Sequence, residues 1–252
     1  MIGMSCTHFG CRPIEDWIGP VSESFGHWEI FSEAEHRIVG RERELVSLLD
    51  SYRLSCSVHA PICDLNIGSL SDRLMEASLQ ETLDVMKASA EIGAKTVAVH
   101  PGLASMAVNG MEAAASSRAK ASIRTIDRTA SELGLAVAIE NMPDLPFFLG
   151  RTAESLASLV DGTDLGVCFD IGHANTTGQI DGMIDTFGDR IVNVHIHDNN
   201  GVRDEHLTIG DGSIDFGHVI GRLSQYGGNY IIESKTLESA VISHQRLKKL
   251  LS

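Results

Sequence analysis

Several features are scarce or missing in this 252-residue chain, and each absence excludes something. No apolar run reaches the roughly eighteen residues of a bilayer span, so no transmembrane helix is expected. The opening Met1-Ile2-Gly3-Met4-Ser5 has no basic segment and no long apolar one, so no secretory leader is expected. Cysteine is limited to Cys6, Cys11, Cys56, Cys63 and Cys168, with no C-x-x-C pair. An odd number of unpatterned thiols suits a reduced, cytoplasmic protein. Basic residues are few, with 20 Lys and Arg against 34 Asp and Glu and a net charge of −14. Phosphate binding needs Lys and Arg, so a nucleic-acid partner is not expected. Bound divalent ions would offset part of that charge, and the net balance leaves room for a local basic groove. No linker, low-complexity tract or composition shift interrupts the chain. The expectation is a single domain over residues 1–252, with enough apolar residues (43%) to bury a sizeable core.

What is present is an alternation. Short apolar runs at Ile2–Cys6, Trp28–Phe31, Cys56–Ala60, Thr96–His100, Ala136–Glu140, Gly166–Asp170, Ile191–Ile196 and Tyr230–Glu233 read as eight strands. Most lack polar–apolar alternation, as parallel strands covered on both faces do. Helical patterns fall at Arg41–Tyr52, Ser71–Ile92, Met111–Leu133, Thr152–Val160, Phe216–Tyr226 and Glu238–Leu251. In Ser71–Ile92, the residues Leu74, Leu79, Leu83, Met86 and Ile92 recur near helical spacing, and Gly93 is the stop. Gly134 stops Met111–Leu133 in the same way. Eight strand–helix units of about 31 residues each predict an α/β fold of the (β/α)8 barrel type, where six would suit an open doubly wound sheet.

The densest chemistry lies in Ile191–Phe216, IVNVHIHDNNGVRDEHLTIGDGSIDF. A short apolar strand leads directly into His195, His197, Asp198, Asp204 and His206, and a Gly-rich turn, Ile209-Gly210-Asp211-Gly212, follows. Imidazoles and carboxylates crowded at the end of a buried strand are costly unless something offsets their charge. A divalent metal does so, and His with Asp or Glu is a usual ligand mix for zinc, manganese or iron. Other strand ends repeat the pattern: His59 in SVHAP, His100 in AVHPG, Glu140 in AIEN, Asp170 and His173 in CFDIGH, and Glu233 in IIESK. A barrel gathers the C-terminal ends of its strands around one axis, where active sites of this fold lie. One convergent cluster is therefore expected.

The ordered signatures HAPICDLNIGS, VHPG, IEN, FDIGH, HIHD, DEHLTIGDGSIDF and IIES carry a resemblance. From His59 onward the chain resembles the xylose isomerase-like TIM barrel superfamily, which includes sugar (phosphate) isomerases and epimerases and the endonuclease IV enzymes. The resemblance implies a central metal held by Glu140, Asp170, His195 and Glu233. It implies a second site at His59 and His100 with Glu140 bridging, and a third at His173, Asp204 and His206. One to three divalent ions per chain, zinc or manganese first, would be the cofactor.

Two enzymatic readings follow. In an isomerase or epimerase of a sugar or sugar phosphate, the metal would stabilise a developing enediolate. Glu140 and Glu233 would remove and return the proton next to the carbonyl. His173 would then contact a substrate hydroxyl. Arg203 and Lys235 would orient a hydroxyl or phosphate, although Arg203 also reads as solvated surface charge, and His8 would line the pocket. In a phosphodiesterase of endonuclease IV type, acting on abasic DNA, two metals would share Glu140 and a third would stabilise the leaving oxygen. Short early loops (Thr7–Gly19 and Ser32–Arg43), Ile62 after His59-Ala60-Pro61, and the acidic balance count against this second reading. A dehydratase on the same scaffold, or a non-catalytic metal-binding protein, are further readings. A homo-oligomer is compatible with the sequence.

Among the rest, His197 is expected to support the cluster by hydrogen bonding, Cys168 to pack, Trp17 and Trp28 to pack rather than wall a pocket, and Asp215 to cap a helix. His27, His36, His218 and His244 read as surface or helix residues.

Overall fold

The computed structural model describes residues 1–252. Eight strands are present: β1 (Ile2–Ser5), β2 (His27–Phe31), β3 (Ser55–His59), β4 (Thr96–Val99), β5 (Ala136–Glu140), β6 (Gly166–Asp170), β7 (Ile191–Ile196) and β8 (Asn229–Glu233). Each pairs in parallel with the next, and β8 closes on β1 with Ile2 opposite Tyr230 and Ser5 opposite Glu233. This is the expected (β/α)8 barrel. No helix is long and apolar enough to cross a membrane.

The helices are α1 (Glu15–Ser22), α2 (Glu42–Tyr52), α3 (Asp72–Glu91), α4 (Glu112–Leu133), α5 (Ala153–Val160), α6 (Ile171–Thr176), α7 (Ile180–Phe187), α8 (Phe216–Arg222) and α9 (Leu237–Leu250). Three of them were not expected. In α1, Gly19 and Pro20 obscure the helical signal, and burial of Ile18 and Val21 decides the matter instead. Helices α6 and α7 are too short, at six and eight residues, to show periodicity. Helix α8 ends at Arg222, four residues before the expected Tyr226.

The two faces of the strands differ in kind. One parity (Met4, Trp28, Ile30, Val58, Val97, Val99, Ile139, Phe169, Val194 and Ile232) joins the large apolar cluster beneath the helices. The other parity is small or polar, with Ala98, Ala138 and Cys168 forming a separate interior cluster. Glu29, Ser57 and Asn193 share that parity and are fully buried. Two of the histidines expected as surface or helix residues are buried, His27 at the start of β2 and His36 at the end of a single 3-10 turn. His27 is held between Ser55 Oγ (2.9 Å) and Ser57 Oγ (3.0 Å). His36 is 1% exposed and meets the Trp28 ring edge-on at 5.6 Å.

Candidate metal centre

The C-terminal ends of β3, β5, β6, β7 and β8 deliver His59, Glu140, Asp170, His195 and Glu233 to one rim, with His100 one residue beyond β4. Glu140 stands at the middle and is 1% exposed. Its Oε2 lies 3.1 Å from His59 Nε2 and 3.3 Å from His100 Nε2. Its Oε1 lies 3.2 Å from His195 Nδ1. His195 Nδ1 is also 3.2 Å from Glu233 Oε1 and 3.9 Å from Asp170 Oδ2. A second group sits beside it. Asp204 Oδ2 is 3.3 Å from His173 Nε2 and 3.0 Å from His206 Nε2. His206 Nδ1 reaches to 3.7 Å from Glu233 Oε2, joining the two groups. All nine residues implied as metal ligands therefore converge.

Local structure explains the placement. Asp170 caps α6 by accepting the His173 N–H at 2.6 Å on Oδ1, and this leaves Oδ2 facing the cluster. The Asn141 side chain clamps the end of β6, donating to Asp170 O (2.9 Å) and accepting from Asp170 N (2.8 Å). The β7–α8 loop is tied by Asp198, which is fully buried. Asp198 Oδ1 accepts from Asn199 N (2.9 Å) and Ile214 N (3.2 Å), and Oδ2 from Gly210 N and Gly212 N (2.9 Å each). A Cβ at position 212 would lie 2.4 Å from Asp198 Oδ1, so glycine is required there. The expected N-cap role of Asp215 is present, with its side chain accepting from His218 N.

His197 lies closer to the cluster than a remote support would. Its Nε2 is 3.3 Å from both Asp170 Oδ1 and Asp204 Oδ1, and its ring stacks on His206 at 4.0 Å. Gly172 makes room for it, since a Cβ there would stand 2.0 Å from His197 Cε1. Of the residues expected at the substrate, His8 and Lys235 line a rim cavity of about 40 Å³ with His206 and Glu233. Arg203 is exposed in the β7–α8 loop and forms no ion pair. Ile62, Leu65, Val99, Phe147 and Phe148 surround a second cavity of about 160 Å³, with His100 in its wall.

Sequence reasoning missed Glu29. It sits mid-strand in β2, fully buried, with Oε1 2.7 Å from His195 Nε2 but outside hydrogen-bond geometry. The available signal was a lone carboxylate inside an apolar strand, His27-Trp28-Glu29-Ile30-Phe31.

The electrostatics are those of a site built around positive charge. Burial opposes ionisation of Glu140, yet His195, His100 and His59 outweigh it and hold its carboxyl well below the usual range. Burial likewise opposes charge on His195, but Cys168, Glu233, Glu29 and Glu140 together raise it well above its ordinary value. His173 is raised for the same kind of reason, against burial, by Asp170, Asp204 and Glu140. Burial wins at His100 and lowers it.

The residues fit a divalent cation. Asp170 Oδ2, His197 Nε2 and Asp204 Oδ1 are buried without a hydrogen-bond partner. His59 and His173 each place Nδ1 against a backbone carbonyl, Ala60 O at 2.7 Å and Asn141 O at 2.9 Å. A carbonyl only accepts, so Nδ1 carries a hydrogen in each ring and Nε2 is the nitrogen left to meet Glu140 or Asp204. A divalent ion would replace the hydrogen on that Nε2, and this backing of the far nitrogen is usual for metal-binding histidines.

A closed parallel barrel with a histidine–carboxylate rim defines the class of this protein. Residues 22–250 match the family described as xylose isomerase-like TIM barrel, and the chain belongs to that family. An uncharacterized protein of Methanocaldococcus jannaschii is 35% identical over 237 residues, covering 90% of this chain and 81% of that protein. The crystal structure of a D-tagatose 3-epimerase-like protein superimposes with a TM-score of 0.92 at 32% identity, covering 99% of this chain and 96% of that one. A probable endonuclease 4 of Bacillus subtilis is 30% identical over 183 residues, 63% of this chain and 58% of that protein, so the match spans less than two thirds of either. Endonuclease IV of Thermus thermophilus shares the fold, with a TM-score of 0.73 at 21% identity, covering 99% of this chain and 98% of that one.

Proposed function

We propose that this protein is a divalent-metal-dependent isomerase or epimerase of a small sugar or sugar phosphate. One observation carries the reading: Glu140 Oε1 and Glu233 Oε1 each stand 3.2 Å from the same nitrogen, His195 Nδ1. Two carboxylates thus border one position. The likeness to a D-tagatose 3-epimerase-like protein over 99% of the chain supports it. Glu140, Asp170, His195 and Glu233 would hold the ion, zinc or manganese by the mix of donors. When bound, the ion supplies Lewis-acid stabilisation of negative charge on substrate oxygens.

The chain's own residues do the rest. One glutamate takes the proton from the carbon beside the carbonyl, and the other returns a proton to the neighbouring carbon or to the opposite face. Glu233, with a side chain 13% exposed, borders the rim cavity and is the one that substrate reaches from outside. His173, His8 and Lys235 orient hydroxyl or phosphate groups. Deuterium uptake tests this. A panel of ketoses and ketose phosphates is incubated in D2O with zinc- or manganese-loaded protein, and NMR is expected to show label at the carbon beside the carbonyl. No uptake from any member of the panel counts against the reading.

A second reading, a multi-metal phosphodiesterase of endonuclease IV type, is favoured by a different contact. Glu140 Oε2 faces His59 and His100 together, as a bridging carboxylate would. Cleavage of an oligonucleotide carrying one abasic site tests it.

A further inference from the structure

The loops that follow β3, β4 and β5 surround the cavity of about 160 Å³ beside His100. They are knit to one another. Asn66, after β3, accepts from Gly68 N at 2.9 Å and from Leu103 N at 2.8 Å, and it donates to Leu103 O at 3.0 Å. Ala104 N donates to Phe147 O at 2.8 Å and Leu149 N to Gly102 O at 3.2 Å, which joins the second loop to the third. Gly102 has a φ of +102°, and a Cβ there would lie 2.9 Å from Gly68 N, so glycine lets the first two loops approach this closely. The cavity is held open by backbone bonds, as preformed ligand sites are.

Its walls are largely apolar, with Ile62, Leu65, Val99, Leu103, Phe147 and Phe148 contributing most of them. The polar side chains among them are engaged elsewhere. Asn66 ties the loops, and Thr82 Oγ1 donates to Ser78 O at 2.9 Å. His100 is the one titratable group in the wall, and its Nε2 faces Glu140 Oε2 at 3.3 Å. A sugar hydroxyl placed here would lose water and meet carbon, a cost that an apolar group does not incur. An apolar cavity of about this size accepts a benzene molecule. The rim cavity at His8, Glu233 and Lys235 belongs to the β1 and β8 ends, half-way round the barrel from β4 and β5, and it is polar. The metal centre therefore lies between a polar cavity and an apolar one.

We propose that the substrate is a keto sugar carrying an apolar substituent, alkyl or aryl and up to the size of a six-membered ring, which the cavity beside His100 receives while the sugar hydroxyls face His8 and Lys235. The His100 imidazole is shared between the cavity wall and the metal centre, so a substrate held at Glu140 is one side chain away from the cavity. The inference deepens the isomerase reading and rests on it.

Two measurements on the full chain test this. In the first, benzene is titrated into the protein and backbone amides are followed by NMR. Shifts are expected in the three loops of the wild type and not in Leu65→Trp, whose indole fills the cavity. No shift in the wild-type loops overturns the proposal. In the second, deuterium uptake by metal-loaded protein is compared between ketohexoses and their 6-O-benzyl ethers, which keep the same carbonyl and the same neighbouring carbons. The benzyl ether of the accepted sugar is expected to show a kcat/KM at least about 10-fold higher than the free sugar, and this ratio is expected to fall toward one in Leu65→Trp. Equal kcat/KM for the pair in the wild type overturns the inference while leaving the isomerase reading standing. Uptake by none of the sugars overturns the isomerase reading and this inference with it. If Leu65→Trp does not fold, benzene decides in the wild type: competitive inhibition of uptake by the benzyl ether supports the assignment, and no inhibition overturns it.

Discussion

Glu140 Oε1 and His195 Nδ1 lie 3.2 Å apart, each buried to 1% exposure or less, at the ends of strands that are not neighbours in the barrel. Burial disfavours charge on both, yet their mutual attraction holds the carboxyl well below and the imidazole well above their ordinary values. In the proposed metal centre an ion would take over the positive charge that this imidazole supplies, and the testable consequences begin there.

Glu140→Gln and Glu233→Gln each remove one of the two groups proposed to move the proton, with almost no change in volume. Each is expected to lower turnover by at least about 10²- to 10⁴-fold, the range for positioned acid–base groups, while circular dichroism stays native. Near-normal activity in either variant would sink the two-glutamate mechanism.

Asp204→Ala combined with His206→Ala removes the outer group and leaves Glu140, Asp170, His195 and Glu233 intact. Under the isomerase reading the double variant keeps turnover within about tenfold of wild type, since at most it loses substrate orientation. Complete loss would point to the multi-metal hydrolase, where both residues hold the third ion.

Asp198→Ala strips the acceptor from the N–H groups of Asn199, Gly210, Gly212 and Ile214. A charged acceptor of four donors is expected to contribute at least about 2 kcal/mol. Hydrogen exchange should rise selectively in residues 199–214 while the strands stay protected. Uniform exchange across the chain would show that Asp198 holds more than its loop.

His36 gives the fold a pH dependence away from the site. Burial lowers its pKa to about 4, against an ordinary 6.5, because its protonated form is desolvated beside Trp28. The unfolded chain binds this proton first, so the contribution is whole above pH 6.5 and is lost as pH falls toward 4. The whole difference corresponds to about 3 kcal/mol, of which roughly 2–3 kcal/mol falls between pH 7 and pH 4.5. His36→Leu is expected to shrink the loss of stability between about pH 7 and pH 4.5 by that amount in urea denaturation. An unchanged pH dependence would refute the assignment.

Much of this was legible in the residues. His59, Glu140, Asp170 and Glu233 close short apolar runs, and barrel geometry makes run ends converge, so their meeting followed from order alone. Glu29 was not legible, because it sits inside a run, and only strand parity and register place it behind His195. His27 and His36 were read as peripheral for a related reason. Neither sits at the C-terminal end of a strand, and burial of a lone histidine depends on partners elsewhere in the sequence, Ser55 and Ser57 for one and Trp28 for the other. The roles of Asn141 and Asp198 are hydrogen bonds to backbone, which side-chain patterning does not encode.

The most direct test is the amount of metal bound per chain, measured by elemental analysis of protein purified without chelators. The account predicts about one divalent ion, lost in His195→Ala, with Glu140 free to exchange a proton. Two or three ions per chain would engage Glu140 as a bridge between His59, His100 and His195 and would contradict it.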